Sequence, residues 1–481
     1  MQNKLKYDKE ISIMDNKIKE SVQKLAVKKA LKYLEEEPEV GLPKLLKWVE
    51  KFDKGGKNTY VTEPFHEIIE DPTNNWNIMI HNVWRDVDPE IRKTIFETLM
   101  VNATVIASYK HAQLHEKYDC NIPWTILADI TSACNLKCTG CWAAEYGHQL
   151  NLSYEEMDDI VCQGIEMGTY IFILAGGEPL IRKHDVMRLC EAHPDCLFLA
   201  FTNGTLIDEE FADEMLRVKN FVPALSIEGF EEATDSRRGE GTYKKVKEAM
   251  RILKEKKLAF GASCCYTSQN VDSLSSEEYI DMLVESGAKF AWFFHYMPVG
   301  NDAVPELLPS PEQRETMYRK IRGYRKTKPI FTIDFQNDGE YVGGCIAGGR
   351  SYLHINANGD IEPCVFIHYS DSNIRTHKIL EACQRPLFMA YRNGQPFNEN
   401  MLRPCPMLEN AGRLAEMVKA SDAHSTDMIS PEDVDCLCDR CRPYAECWAP
   451  ESERIWEERK IIKKQQQEEK EKKAQQRAKK A

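Results

Sequence analysis

Residues 124–147, WTILADITSACNLKCTGCWAAEYG, indicate the fold class and point to the chemistry of this chain. The first seven residues are typical of a short buried strand, and three cysteines follow with the spacing Cys134-x3-Cys138-x2-Cys141. Clustered thiolates at such spacing indicate a metal site. A structural zinc takes four closed ligands, whereas three thiolates hold three corners of a cubane and leave one iron open. We therefore favour an iron–sulfur cluster, and keep as the rival a zinc site completed by His148.

Five further apolar runs follow, separated by segments with helical patterns. They are YIFILA (170–175), CLFLAF (196–201), FVPALSI (221–227), AFGASCCY (259–266) and FAWFFHY (290–296). One intervening helix is predicted to begin at Ser153, with Glu156 completing a capping box. Six strands alternating with helices predict parallel βαβ units. We therefore expect an α/β fold, a partial (β/α)6 TIM-like barrel with its chemistry at the C-terminal ends of the strands.

The rest of the chain divides into three further parts. Residues 1–120 carry apolar residues at helical spacing, and we expect a helical region that either packs on the barrel as a cap or docks a lipid surface or a substrate. Residues 121–335 form the predicted barrel. Residues 336–450 are irregular and rich in cysteine, and residues 451–481 form a charged tail that is predicted to be helical or disordered.

Composition limits the class of protein. The net charge of −13 argues against a general nucleic-acid binder. The chain shows no signal-peptide pattern and no run of 18 apolar residues, so we expect a cytoplasmic protein without a transmembrane helix. Of the 17 cysteines, five lie in apolar runs without ligand-like spacing and are expected to be buried in the core: Cys162, Cys190, Cys196, Cys264 and Cys265. Cys120 and Cys383 are left unassigned.

Short polar or glycine-containing motifs follow the predicted strands. The second strand is followed by Gly176-Gly177-Glu178-Pro179 and the third by Thr202-Asn203. The fourth is followed by Ser226 and Glu228, with Arg238 ten residues later, and the sixth by Met297. Glycine allows close approach of backbone to a ligand, and carboxylate or guanidinium groups make charge-assisted hydrogen bonds. Motifs that recur at strand ends indicate one shared binding site.

Together, the cysteine triplet and these motifs resemble the radical S-adenosylmethionine (SAM) superfamily, over roughly residues 124–300. The resemblance implies that the three cysteines hold a [4Fe–4S] cluster whose open iron is chelated by SAM, and that Glu178 and the glycines before it receive the SAM amino group. It implies SAM contacts for Thr202, Asn203, Ser226 and Glu228, and a pairing of Arg238, with Arg237 as its competitor, to the SAM carboxylate. Backbone near Met297 would meet adenine.

In that family a low-potential electron breaks a C–S bond of SAM, and the resulting 5′-deoxyadenosyl radical takes hydrogen from a substrate C–H bond. Low potentials are within the reach of iron–sulfur clusters. One departure concerns the residue before the third cysteine, which is aromatic in many relatives and is Gly140 here. Trp142, directly after that cysteine, is expected to supply the adenine contact or a wall of the substrate site.

A second group of cysteines resembles the SPASM or twitch extension of radical SAM peptide-modifying enzymes. The resemblance implies at least one auxiliary [4Fe–4S] cluster on Cys345, Cys364 and Cys405, with Cys447 or Cys438 as the fourth ligand. Cys441 belongs to the same Cys438-x2-Cys441-x5-Cys447 group. Because clustered thiolates suit zinc equally, a zinc knuckle at 436–447 is the alternative.

The motifs do not identify the substrate. A peptide or protein is the first expectation, and a lipid, an isoprenoid or a small metabolite is the alternative. Expected partners are a low-potential electron donor such as flavodoxin or ferredoxin, the substrate, and a membrane surface in peripheral contact, but no nucleic acid. A hypothesis of another class is a non-catalytic iron–sulfur electron carrier or binding protein.

Overall fold

The architecture comes from a computed structural model, which describes residues 25–33, 35–50, 59–300 and 302–478. The first 24 residues of the predicted helical region therefore lie outside the described residues. None of the described helices is long and apolar enough to cross a lipid bilayer.

Within the described ranges, nine strands form one sheet and two more form a separate antiparallel pair. The sheet contains β1 (Thr125–Thr131), β2 (Ile171–Gly176), β3 (Leu197–Thr202), β4 (Phe221–Ser226), β5 (Gly261–Tyr266), β6 (Phe290–His295), β7 (Phe331–Asp334), β8 (Tyr352–Ile355) and β9 (Ile361–Glu362). The separate pair is β10 (Tyr369–Ser370) and β11 (His424–Ser425).

The order of the sheet is β7-β6-β5-β4-β3-β2-β1-β8-β9. The six predicted strands are confirmed as β1 to β6, all parallel and adjacent in chain order. Three further strands of this sheet, and the separate β10–β11 pair, were not predicted from the sequence. β7 lies parallel to β6, β8 lies parallel to β1, and β9 is antiparallel to β8. The added strands have two to four residues each, which is too short for a periodicity to be recognised.

The helices surround this sheet. They are α1 (25–33), α2 (Pro38–Glu50), α3 (Thr59–Glu70), α4 (Asn75–Asp86), α5 (Pro89–Glu97), a π-helix (Thr98–Ile106), α6 (Ala107–Tyr118), α7 (Tyr154–Met167), α8 (Lys183–Ala192), α9 (Glu209–Val218), α10 (Glu231–Arg238), α11 (Thr242–Glu255), α12 (Val271–Leu274), α13 (Glu277–Glu285), α14 (Pro311–Thr327), α15 (Gly339–Val342), α16 (Ile379–Ala382), α17 (Pro386–Gly394), α18 (Ala411–Ala420) and α19 (Val434–Ala478). Short 3-10 turns occupy Ala144–Tyr146, Pro179–Arg182 and Pro305–Leu307.

Alternating residues of the central strands face two different cores. On β1, Ile126 and Ile130 pack with Met157 of α7 in the layer between sheet and helices. Leu127, one residue out of phase, packs with Ile173 of β2 on the inner face of the barrel. This alternation follows from the two-residue repeat of a strand. The predicted capping box of α7 is confirmed, with Ser153 and Glu156 each accepting a backbone hydrogen bond from the other.

The N-terminal helices pack against the N-terminal ends of the strands. Trp124, just before β1, donates its indole N–H to the carbonyl of Ala103 in the π-helix at 2.7 Å. Asp86 of α4 pairs with Lys289, just before β6, at 2.8 Å. These contacts place a helical cap at the end of the barrel opposite the predicted chemistry, and leave the C-terminal ends of the strands free for the site.

Candidate functional site

A cavity of about 440 Å³ lies inside the barrel and reaches the C-terminal ends of its strands. Most of the predicted site residues line it: Cys134, Cys138, Cys141, Gly176, Gly177, Glu178, Asn203, Ser226, Arg238 and Met297. Of the residues predicted for the SAM site, Pro179, Thr202 and Glu228 are buried but are not among the residues that line it. His148, the rival fourth ligand, is not among them either. The cavity therefore brings together residues from five separate strand ends.

The cysteine-bearing loop, residues 131–141, is tied to the end of β3 by Asn135. Its side-chain oxygen accepts from Asn203 Nδ2 at 2.8 Å, and its Nδ2 donates to Thr205 Oγ1 at 2.9 Å. Asn135 lies between the first and second cysteine, so these bonds fix the loop where the thiols are. Asn135 was not predicted to belong to the site, although its place inside the cysteine motif indicated a role there.

Gly176 and Gly177 hold the other side of the same loop. A Cβ at Gly176 would come within 2.1 Å of the Thr131 carbonyl oxygen, and one at Gly177 within 2.2 Å of the Ala133 carbonyl oxygen. Gly177 N and Glu178 N donate to those two carbonyls at 2.8 Å. A larger residue at either position would push the cysteine-bearing loop away from β2.

The Glu178 carboxylate lies behind the glycines and connects several hydrogen-bond donors. It accepts hydrogen bonds from Thr202 Oγ1 at 2.6 Å, from Asn203 N at 2.7 Å and from Leu180 N at 2.9 Å. Burial raises the pKa of Glu178, although these three donors oppose the effect. Glu178 thus joins the ends of β2 and β3 and still contributes to the cavity wall. Its predicted contact with an amino group stays a prediction.

Arg237 and Arg238 share one buried counterion. Arg237 Nη1 lies 2.8 Å and Arg238 Nη2 2.5 Å from Glu228 Oε1, and Glu228 is fully buried. Arg238 Nη1 also lies 3.9 Å from Cys138 Sγ. Burial disfavours the Arg238 charge, but Glu228 and Cys138 outweigh it and raise its pKa. Both guanidinium groups line the cavity, so both are placed to meet an anionic group, with Glu228 behind them.

Tyr296 occupies the space beside Gly140. A Cβ at Gly140 would lie 2.8 Å from both Cε2 and the hydroxyl oxygen of Tyr296, and the glycine has a φ of +63°. The Tyr296 hydroxyl accepts from Val304 N at 2.9 Å, and its ring lines the cavity. An aromatic ring is therefore present next to the third cysteine in space, contributed by the last residue of the predicted sixth strand.

Trp142 forms a cavity wall with a buried polar network behind it. Its ring contacts those of Tyr146, His354, Phe366 and His368 edge-on, at centroid distances of 6.0 to 6.5 Å. His354 pairs through Nδ1 with Glu362 at 2.6 Å and through Nε2 with Asp129 at 3.2 Å.

Burial disfavours protonation of His354, but Asp129 and Glu362 outweigh it and raise its pKa to about 10. The imidazole is therefore charged at neutral pH. Since His354 lies on β8 and Asp129 on β1, the network also joins the cysteine-rich extension to the barrel. His354, Glu362 and Asp129 could not be predicted from the sequence as one group, because their proximity depends on the pairing of β8 with β1.

The thiols of the loop suit a multi-iron cluster. Within the described ranges, one group of three His, Cys, Asp or Glu side chains has its ligand atoms all within 4.8 Å of one another. It consists of Asp158, Cys162 and His193, and not of the loop cysteines. The loop cysteines are more widely spread than a single tetrahedral zinc with Zn–S bonds of about 2.3 Å would require. Burial raises the pKa of Cys134 to about 11, so a metal must displace its proton.

Three of the five cysteines assigned to the core are buried, and two are not. Cys190, Cys196 and Cys264 are buried, as predicted. Cys162 is exposed on α7, because it lies on the solvent face of the helix, and that prediction was wrong. Cys265 is half-buried and lines the cavity beside the arginines, since it lies on the inner face of β5.

A second cavity of about 70 Å³ brings together Cys345, Cys364 and Cys405. The Tyr352 hydroxyl donates to Cys364 Sγ at 2.7 Å, and the buried Tyr391 hydroxyl, also on this wall, has no hydrogen-bond partner. Three thiols and an unpaired phenol around one cavity fit the donor set of an auxiliary cluster. Six residues line both cavities: Met297, Phe335, Val342, Ile346, Tyr352 and Phe366.

The cysteines of residues 436–447 lie on α19. Cys438 and Cys441 are buried, whereas Cys436 and Cys447 are exposed. None of the four is among the residues that line the 70 Å³ cavity. The fourth ligand of the auxiliary site, and a zinc knuckle at 436–447, both stay predictions.

Comparison with known proteins agrees with this arrangement. Residues 129–270, from the second half of β1 to the segment after β5, match the family model of the radical SAM superfamily. Fe-coproporphyrin III synthase of Methanosarcina barkeri is 27% identical over 230 residues, which cover 45% of this chain and 57% of that protein. PqqA peptide cyclase of Granulibacter bethesdensis is 25% identical over 255 residues, which cover 50% of this chain and 67% of that protein.

The fold has a solved counterpart. Streptococcus suis SuiB bound to precursor peptide SuiA superposes with a TM-score of 0.51 at 19% identity, over 63% of this chain and 76% of that one. SuiB has also been solved with S-adenosylmethionine bound. Radical SAM proteins bind a [4Fe–4S] cluster and SAM. The cysteine triplet, the strand-end motifs and the matched domain all lie at one barrel mouth, and residues 129–270 of this chain are identified as a radical SAM domain.

Proposed function

We propose that this protein is a radical SAM enzyme that reductively cleaves SAM and uses the product radical to take hydrogen from a substrate C–H bond. The single observation that carries the proposal is the cavity on which Cys134, Cys138, Cys141 and the two arginines converge. When bound, the cluster supplies the electron that cleaves SAM to methionine and a 5′-deoxyadenosyl radical.

The residues of the chain have separate parts in this proposal. Cys134, Cys138 and Cys141 hold the [4Fe–4S] cluster, and Arg237 or Arg238 pairs with the SAM carboxylate while Glu228 fixes both guanidinium groups. The Gly176, Gly177 and Asn203 backbone, with Glu178 and Ser226, completes the SAM site. Cys345, Cys364 and Cys405 hold an auxiliary cluster. A low-potential donor such as flavodoxin or ferredoxin supplies the electrons, in a reducing cytoplasm.

For the substrate, two candidates have specific support. A peptide or protein is supported by the similarity to PqqA peptide cyclase and to SuiB, which was solved with its precursor peptide bound. A lipid or isoprenoid is supported by the apolar inner wall of the cavity, on which Phe201, Trp292 and Phe294 lie.

The proposal is tested by anaerobic reconstitution with iron and sulfide, followed by dithionite and SAM. We expect 5′-deoxyadenosine from the cluster-loaded protein and at least a hundredfold less from the variant with Cys134, Cys138 and Cys141 all changed to Ala. That variant should retain iron at the auxiliary site. A cluster-loaded protein that forms no 5′-deoxyadenosine would favour the non-catalytic electron carrier instead.

A further inference from the structure

The barrel has a hollow interior lined by aromatic rings. Phe201 of β3, Trp292 and Phe294 of β6 and Phe335 after β7 all point inward and line the 440 Å³ cavity. Each is only half-buried, so the inner face of this open sheet is not filled by its own side chains. Adjacent ring centroids on this wall lie 5.4 to 6.3 Å apart, so the four rings form one continuous surface.

The cavity extends along the whole of β1. It begins at Trp124 and Thr125, at the N-terminal end of that strand, and ends at the cysteine-bearing loop. Six residue steps of a strand span about 20 Å. The residues predicted to hold SAM and the cluster lie only at the end of the cavity near the cysteine-bearing loop. Away from them, Thr125, Leu127, Phe201, Trp292 and Phe294 line the rest of the cavity, which we call the chamber.

The chamber carries no charge among the described residues that line it below the strand ends. The charged side chains of the cavity wall are Glu178, Arg237 and Arg238, and all three follow the C-terminal ends of strands. His295 also lines the cavity, but burial lowers its pKa well below its usual value and leaves it neutral. A charged or strongly polar group could not enter the chamber without losing its hydration.

Two hydroxyls of the chamber wall already have hydrogen-bond partners. The Thr125 hydroxyl donates to the Ile171 carbonyl at 2.8 Å, and the Tyr352 hydroxyl donates to Cys364 Sγ at 2.7 Å. Trp292 Nε1 is a buried donor without a partner. A peptide backbone has two polar groups per residue, and each one buried without a partner weakens binding by about tenfold. A hydrocarbon chain has no polar groups, so its burial leaves no hydrogen bond unmade.

We propose that the chamber below the SAM site binds a long aliphatic chain, such as the tail of a lipid, and presents it to the radical at the cysteine-bearing end. The length, the ring-lined wall and the missing charge all favour an extended hydrocarbon over a peptide segment. The inference rests on the proposed function for the chemistry, but binding of the chain does not require SAM to be cleaved.

The test measures binding of uncharged probes to the full-length, cluster-loaded protein with SAM present. Straight-chain alcohols from 1-octanol to 1-octadecanol are compared by equilibrium dialysis with the blocked peptide acetyl-(Leu-Ser)3-amide. We expect one saturable alcohol site per chain, with affinity rising about fourfold per methylene and then levelling off once the chamber is filled. Partition onto an outer surface would rise without a plateau. The peptide should not compete.

Three variants locate the site. Phe294→Glu places a charge on the ring-lined wall and should weaken 1-hexadecanol binding at least thirtyfold. Ser263→Leu fills space at another cavity-lining position and should weaken the longest alcohols most. Phe331→Glu makes the same change on β7 at a side chain that is 44% exposed, and should leave binding unchanged. Cluster absorbance of each variant reports whether it has folded.

The proposal would be overturned by absence of saturable alcohol binding, by equal binding in both chamber variants and the wild-type protein, or by displacement of 1-hexadecanol by the peptide. The last result would favour a peptide occupant. Formation of 5′-deoxyadenosine is measured separately, so an empty chamber in a protein that cleaves SAM would contradict this inference alone.

Discussion

At the scale of single residues, Gly140 shows that a ring missing at one position of the sequence can be supplied by another residue that lies beside it in space. The aromatic ring expected before the third cysteine is absent in this sequence, and Tyr296 fills the space that a Cβ of residue 140 would need. A ring after the sixth strand can replace one in the cysteine motif because both lie at the same end of the barrel.

Gly140→Ala should therefore disturb the cysteine-bearing loop. The new Cβ meets Tyr296 at 2.8 Å, and a non-glycine residue at this positive φ costs about 1–2 kcal/mol in addition. We expect less iron per chain after reconstitution, measured colorimetrically. Gly241→Ala is the control, because Gly241 has a φ of +79° and nothing lies within 4 Å of the place that its Cβ would take. Equal iron contents in both variants would contradict the steric argument.

We expect His354 to make the stability of the protein depend on pH. Its pKa is raised from 6.5 to about 10 in the folded protein, so its contribution is complete below pH 6.5 and is lost as pH rises through 10. In this window the free energy of unfolding should fall by roughly 1.4 kcal/mol per pH unit from this group. Urea titrations at pH 7, 8 and 9 measure the slope.

His354→Gln should flatten that slope, whereas His184→Gln, at a side chain that is 92% exposed, should not. His368 pairs with Asp427 at 2.6 Å and also has a raised pKa, so part of the slope should persist in the His354 variant. An identical slope in the His354→Gln variant and the wild-type protein would mean that His354 is not charged in the folded state.

At the scale of elements, the cysteine-bearing loop is positioned by two neighbouring strand ends. β2 holds it through the Gly176-Gly177 backbone, and β3 holds it through Asn135 and Asn203. The loop itself has little regular structure, so its conformation depends on these contacts. This explains why the motifs after β2 and β3 accompany the cysteines in the sequence.

Asn135→Leu removes two hydrogen bonds, to Asn203 and Thr205, without touching a thiol. Groups that orient metal ligands typically contribute 10- to 100-fold in metal affinity, and we expect faster loss of iron to a chelator by a factor in that range. Asn393→Leu, at an exposed position of α17, is the matched control. If iron leaves both variants at the wild-type rate, Asn135 does not position the loop.

At the scale of the whole molecule, the barrel and the cysteine-rich extension are joined by a buried ion pair. Arg314 of α14 and Glu409, both fully buried, lie 2.6 Å apart, and Glu409 also accepts from Cys405 N at 2.6 Å. The Arg314 guanidinium stacks on Trp448 of α19 at 4.3 Å. One barrel side chain thus contacts both the segment of Cys405 and the last helix.

Arg314→Met should destabilise the protein by about 3–5 kcal/mol, because it leaves the Glu409 carboxylate buried without its partner. The double variant Arg314→Met, Glu409→Leu removes both charges and should recover most of that loss. Arg319→Met, on the same helix but 49% exposed, should cost at most about 1 kcal/mol. Urea unfolding of the three variants makes the comparison. A double variant no more stable than Arg314→Met would contradict the pairing argument.

The alternation of strands and helices and the residues that meet at the barrel mouth could be predicted from the sequence alone. The six strands were predictable because each is a continuous apolar run, and the cysteine triplet was predictable because its three cysteines lie within eight residues. The strand-end motifs followed, since parallel strands bring their C-terminal ends to one edge. All of these features are local in the chain.

Features that lie far apart in the chain and close in space required the tertiary structure. The pairing of β8 with β1 brings His354 to Asp129, and the packing of β6 brings Tyr296 to Gly140. The hollow, ring-lined chamber depends on inward-facing side chains from several strands at once. Apolar residues look alike in a sequence whether they fill a core or surround an empty space, and only the distances between strands distinguish the two.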